Sequence, residues 1–162
     1  MKKIIAVSLT ILFLAVATPA LAQDQPINIT SSALVEKTVV NEKGEKELVR
    51  LPATKVLPGD EVIFVNAYVN GGKAPAENVV INNAIPENMI YVGETAKGEN
   101  TIVTYSVDGG NTFGPLLELA VTIPDGMTRS AASIDVTHIR WVRTNPLAPG
   151  DKAEVEFTAR LK

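Results

Sequence analysis

His138 is the only histidine of this 162-residue chain, and so the only side chain whose unperturbed pKa lies near neutrality for acid–base work. A Ser-His-Asp arrangement would recruit Asp135, but on a strand positions three apart face opposite sides. His138 therefore reads as an exposed strand residue. Asp60 with Glu61 and Glu154 with Glu156 are the paired carboxylates. Glycoside hydrolysis needs two such groups at a set separation across a pocket, and turn and strand surfaces imply no cleft. Cysteine is absent, so with one histidine the usual transition-metal clusters lack ligands. Asp108 and Asn111 could begin a calcium loop, yet one carboxylate is few for an ion that takes about six to eight oxygens. No catalytic, cofactor-binding or metal residue is expected, and no cofactor. Tyr68, Tyr91 and Tyr105 are the aromatics that an exposed glycan-stacking site would use. Trp141 could serve likewise, but its mid-strand position predicts a central core residue with its indole N–H on a nearby carbonyl.

The elements that must position these residues centre on Pro58 to Val92. Pro58-Gly59 suits a type II turn, because proline presets the first central φ and glycine accepts the positive φ of the second. Asp60 to Asn70 follows as a strand apolar on both alternating sets: Val62, Phe64 and Tyr68 on one, Ile63, Val65, Ala67 and Val69 on the other. Such a strand is covered on both faces, or nearly so. Beyond Gly71-Gly72, Asn78 to Asn83 alternates Val79 and Ile81 with a mostly polar side, and a third strand is entered through Pro86. This is the grammar of an antiparallel β-sandwich.

The same residues carry a resemblance. The order PGD, a Val/Phe/Tyr-rich strand, Asn-Gly-Gly, then APAENVVINNAIPENMIYVG resembles the repeat catalogued as domain of unknown function number eleven, an immunoglobulin-like module of bacterial and archaeal surface proteins. The likeness is good over Leu57 to Val92 and looser afterwards, and the family's pattern usually has an acidic residue where this chain has Asn83. It implies an immunoglobulin-like sandwich and says little of activity. SVDGGNTF, Ser106 to Phe113, is similar to the Asp box, a structural hairpin of sialidases and other β-proteins. There Asp108 would accept the turn's own amides, Gly109 and Gly110 would take unusual φ values, and Phe113 would pack beneath.

Elsewhere, Gln23 to Val56 suggests strands and a hairpin tipped by the charged loop Asn41 to Glu47. Its first part, Ile27 to Val35, either pairs within the domain or is lent to a neighbour's sheet edge. Glu94 to Asn100 reads as a loop, Ile102 to Val107 as a strand, Pro115 to Ile123 as a strand after an edge bend, and Pro124 to Ser133 as a loop. Ile134 to Val142 places Ile139 and Trp141 on one face with His138, Arg140 and Val142 on the other. Pro149-Gly150-Asp151 repeats the Pro58 turn and feeds a last strand with Val155, Phe157, Ala159 and Leu161 inward. Asn28-Ile29-Thr30 matches the glycosylation acceptor pattern, a triplet common by chance.

The first residues, MKKIIAVSLTILFLAVATPALAQ, have a basic start, an apolar run from Ile4 to Val16 and a small-residue site at Ala20-Leu21-Ala22. That is the pattern of a cleavable signal peptide, here helical over residues 1–22; a membrane anchor would need about twenty apolar residues. Residues 23–162 are then a single β-sandwich domain, with 23–56 the N-terminal strands and hairpin and 57–162 the repeat-like core. The net charge is −3, more acidic once Lys2 and Lys3 leave, and the basic residues are scattered. That is no footprint for nucleic acid or for anionic lipid. The expectation is a non-enzymatic exported structural or interaction module, periplasmic, cell-surface or extracellular. It would work by protein–protein association, including self-assembly through an N-terminal strand; the alternative is a glycan- or calcium-binding accessory module.

Overall fold

A computed structural model describes residues 27–162. The signal-peptide reading falls on residues 1–22, outside the described residues. The strands are β1 (Ile27–Val40), β2 (Lys46–Pro52), β3 (Glu61–Asn70), β4 (Val80–Ala84), β5 (Met89–Tyr91), β6 (Lys97–Gly98), β7 (Thr101–Ser106), β8 (Ala120–Thr122), β9 (Thr128–Ser130), β10 (His138–Arg143) and β11 (Lys152–Leu161). Every pairing among them is antiparallel. One layer has the order β2-β1-β3-β11-β5, with β6 also on β11, and the other has β4-β10-β7; β8 and β9 form a separate hairpin. The protein is an all-β antiparallel sandwich.

The alternation of each strand sets which side chains meet between the layers. Tyr68, Tyr91, Val155, Phe157 and Ala159 from the first layer enclose Ile81, Ile139 and Trp141 from the second. Phe157 lies opposite Phe64 on β3, the rings stacked at 5.0 Å, and it meets the Trp141 indole across the layers at 6.1 Å. Trp141 and Phe157 are both 0% exposed, as a central core pair should be. The indole N–H, however, has no hydrogen-bond partner among the described residues, against the expected carbonyl. The Phe157 ring packs beside the indole, and the carbonyls of an inter-strand ladder lie in the plane of the sheet rather than between the layers.

The two Pro-Gly-Asp turns act as a reciprocal pair. The Asp60 amide bonds to the Leu57 carbonyl at 2.9 Å and the Asp151 amide to the Ala148 carbonyl at 3.0 Å, with Gly59 at φ 95° and Gly150 at φ 80°. Each turn also clamps the far end of the other's strand. The Gly59 amide reaches Leu161 at 2.9 Å, and the Gly150 amide reaches Asn70 at 2.7 Å. The likeness between the turns thus becomes an approximate two-fold relation between β3 and β11, the central strands.

Several sequence expectations are corrected. Pro115 to Ile123 is not one strand: Leu116–Glu118 forms a 3₁₀ turn before the short β8. Pro124 to Ser133 is not all loop, because Asp125-Gly126 turns the chain into β9, with Gly126 at φ 86° and the Asp125 carboxylate accepting the Met127 amide at 2.9 Å. Aspartate-glycine between strands is a hairpin signal in its own right. Ser133–Asp135 is a second 3₁₀ turn, so Ile134 is exposed and β10 begins only at His138. Glu94 to Asn100 contributes β6, since Gly98 lets that backbone lie against Val155. β4 starts at Val80 rather than Asn78, which takes a left-handed φ of 54°.

Candidate functional site

Glu156 lies on the outward side of β11 between Val155 and Phe157, yet it is buried. Arg50 of β2 grips its carboxylate with two guanidinium nitrogens, at 2.8 and 3.1 Å, and Lys97 Nζ adds a contact at 3.0 Å. Arg50 Nε also donates to Glu36 at 3.2 Å. In the sheet β1 and β3 stand between β2 and β11. At about 4.8 Å per strand a flat sheet would hold β2 and β11 about 14 Å apart, beyond one arginine's reach. The β1–β2 hairpin therefore folds over the outer face, and Ile63 and Val65, outward on β3, are buried there. This covering makes β3 apolar on both sides.

The Arg50 guanidinium, aided by Lys97 and opposed by burial, holds the Glu156 carboxyl below its usual range; the bond to Glu156 raises Arg50 in turn. An open groove of about 730 Å³ adjoins this cluster, lined by Lys152, Glu154 and Glu99 as well. A carboxylate held by two cations is a poor proton carrier, so the cluster acts as a clasp on the hairpin. The sequence pairs Glu154 with Glu156 but does not join Glu156 to Arg50 and Lys97. A glutamate set between Val155 and Phe157 on a core strand is the signal that points to such a partner.

The Asp-box segment is an internally satisfied turn. Ser106 Oγ donates to Asp108 Oδ1 at 2.6 Å and accepts the Gly110 amide at 2.9 Å. Asp108 also accepts the amides of Asn111 and Thr112 at 3.1 and 3.0 Å and the Thr112 hydroxyl at 2.6 Å. The Ser106 and Thr112 bonds hold its carboxyl well below the usual range. Gly109 and Gly110 take φ values of 78° and 87° as the motif requires. Asn111 thus donates to Asp108 instead of standing beside it as a second ligand, and a cation would have to displace these bonds. No group of three or more His, Asp or Glu side chains that could hold a metal occurs among the described residues. Phe113 packs under Arg140, whose guanidinium lies 3.6 Å from the ring centre while its Nε donates to Asn82 at 2.9 Å.

His138 is half-buried rather than exposed, its ring against Gly110 and its Nδ1 3.2 Å from Thr137 Oγ1. Asp135 turns away from it to a two-point pair with Arg129 at 2.6 and 2.7 Å. The structure thus parts Asp135 from His138, and Ser106, directly opposite His138 on β7, donates its hydroxyl to Asp108 instead. Asp60 is used locally as well, accepting the Leu57 amide at 2.8 Å. The aromatic platforms also fail: Tyr68, Tyr91 and Trp141 are core residues. Tyr105 is half-buried, its hydroxyl 3.3 Å from that of Tyr91, and burial followed by that contact raises its phenol. Their place on inward-facing strand positions is the reason.

The sheet edges differ sharply from one another. β2 carries Lys46, Glu47, Arg50 and Pro52, which guard an edge against foreign strands. β5 is three residues long, and β7 is capped at Tyr105 by mutual backbone bonds with Gly114 at 2.9 and 3.0 Å. In β1, by contrast, Ile27 to Ala33 pairs with β3 on one side while β2 begins only opposite Leu34. Its residues Ile-Asn-Ile-Thr-Ser-Ser-Ala include no charge, glycine or proline. β4, Val-Ile-Asn-Asn-Ala, is equally bare and among the described strands pairs with β10 alone. Ile27 and Ile29 of β1 and Val79, Val80 and Ile81 at β4 line one open groove of about 480 Å³, so both unguarded edges share a flank. No described helix is long and apolar enough to cross a membrane. No protein-family model and no curated protein sequence matches this chain.

Proposed function

We propose that the chain is a non-enzymatic structural or interaction module, exported to the cell envelope or the extracellular space, that works by protein–protein association. One observation carries this reading: Asp60, Asp108, Asp135 and Glu156 are spent on internal bonds, while two uncharged strand edges on one flank have no described partner. Natural sheets guard such edges unless they are used. The leader-like residues 1–22 support export, and the resemblance to immunoglobulin-like surface repeats supports a structural role.

The test is to express the full gene in a secreting host and read the mass of the exported product, expected to begin at Gln23. Light scattering across concentrations should then show association, and calorimetry with calcium chloride or cell-wall polysaccharide should show no saturable heat. Retention in the cytoplasm would remove the exported role. Saturable heat without association would replace this reading with the accessory-module one.

A further inference from the structure

We infer that the free edge of β1 is a homotypic contact, at which two copies of this chain pair antiparallel about a two-fold axis beside Ile29. This rests on the association reading above and names the surface and the partner.

The direction of each backbone group follows from bonds already described. Asn70 exchanges its amide and carbonyl with Asp151 and Gly150 on the β11 side, at 3.1 and 2.7 Å. By strand alternation its β1-facing neighbours are Val69, Ala67, Val65 and Ile63, opposite Asn28, Thr30, Ser32 and Leu34. Hence Ile27, Ile29 and Ser31 direct their N–H and C=O groups away from β3, to the open edge. Ala33 confirms the phase, since its carbonyl accepts the Ala53 amide at 2.9 Å on that same side.

This spacing is self-complementary. With Ile29 opposite the partner's Ile29, Ile27 falls opposite the partner's Ser31 and Ser31 opposite the partner's Ile27, and each pair exchanges both of its backbone bonds. Residues directly opposite share a face. The partner's Ile29 thus lands beside Ile29, which is 52% exposed although it sits on the core-facing side of β1 with Tyr68 and Asn70. The Ile27, Ile29, Val79 and Ile81 side of each groove then faces the other copy, with Glu77 and Asn78 also on its lining. Charge also selects this approach. The chain carries a net −3, so copies repel in general, and a strand edge without ionisable groups is where they meet at least cost.

The absence of cysteine makes the register directly measurable. A hydrogen-bonded antiparallel pair has Cα atoms about 5.5 Å apart, inside the range a disulfide spans. Exported Ile29→Cys protein, oxidised and run without reductant, should give a covalent dimer as the main band. Ile102→Cys, equally exposed on β7, should remain monomeric. Ile29→Lys should raise the dimer dissociation constant at least ten-fold by light scattering while the circular-dichroism spectrum stays that of the wild type, since half of the Ile29 side chain is already exposed in a single copy. Equal cross-linking of the I29C and I102C proteins, a mass unchanged by I29K, or a wild-type monomer at every concentration would each overturn the inference. Association that survives I29K would leave the association reading standing and move the contact elsewhere, whereas saturable calcium or glycan heat without association would remove that reading itself.

Discussion

Arg50 and Glu156, 106 positions apart, close a two-point ion pair at 2.8 and 3.1 Å that fastens the β1–β2 hairpin onto the outer face of the first layer. Among the described side-chain bonds this pair spans the longest stretch of sequence, and it adds to the β1–β3 ladder a tie from β2 across to β11. It is a clasp whose loss should be felt as instability and not as lost catalysis.

Arg50→Met removes the larger partner and leaves Glu156 with Lys97 alone, which should cost about 2 kcal/mol in urea unfolding at neutral pH. Because the folded carboxyl titrates below its unfolded value of about 4.3, the pair contributes fully above that pH, and its share is lost as pH falls through the depressed folded value. The gap between wild type and R50M should therefore be widest at pH 7 and shrink below about pH 4. A gap that stays constant or widens with acid would assign the effect to the arginine's packing alone.

Trp141 and Phe157 meet at the centre of the core, so Phe157→Ala and Trp141→Ala should each cost about 3–5 kcal/mol. Trp141→Phe should cost far less than alanine, because it discards an indole N–H that has no described partner while keeping an aromatic in the space. Equilibrium denaturation followed by circular dichroism measures all three. A W141F loss as large as that of W141A would mean the indole N–H is satisfied in solution.

Asp108→Ala removes the acceptor of the Asn111 and Thr112 amides, so hydrogen exchange at those positions should rise at least ten-fold while exchange in β3 and β11 stays slow. The depressed carboxyl keeps the hairpin bonded at about pH 4, where an ordinary aspartate is half protonated, and releases it only in stronger acid. Millimolar calcium should leave the wild-type melting temperature unchanged. An upward shift lost in D108A would restore the calcium reading.

Gly98 and Gly150 separate two reasons for glycine. At Gly150, φ is 80° and an added Cβ would meet nothing within 4 Å, so Gly150→Ala should cost about 1 kcal/mol of backbone strain alone. At Gly98 a Cβ would lie 2.6 Å from Val155 Cγ1, so Gly98→Ala should cost about 2 kcal/mol and loosen β6 from β11. Urea midpoints give both values; a G98A loss below that of G150A would mean β6 shifts freely.

The chain's own order of residues was enough for the fold class, for β3 covered on both faces, for Ile139, Trp141, Val155 and Phe157 as core, and for both Pro-Gly-Asp turns. These follow from period-two alternation and from φ preferences, which are local and act wherever the residues stand. It failed at Asp125-Gly126 only because a turn signal there was absorbed into a supposed loop.

What tertiary structure alone decided is which distant groups meet and which edges go without cover. Nothing local joins Arg50 to Glu156, leaves Ile27 to Ser32 without a described partner on one side, or withdraws Tyr68 and Tyr91 from the surface. Those outcomes depend on strand order and on how far one layer overhangs the other. Strand order is selected by the sum of many weak cross-strand and inter-layer contacts, and no short stretch of sequence contains that sum.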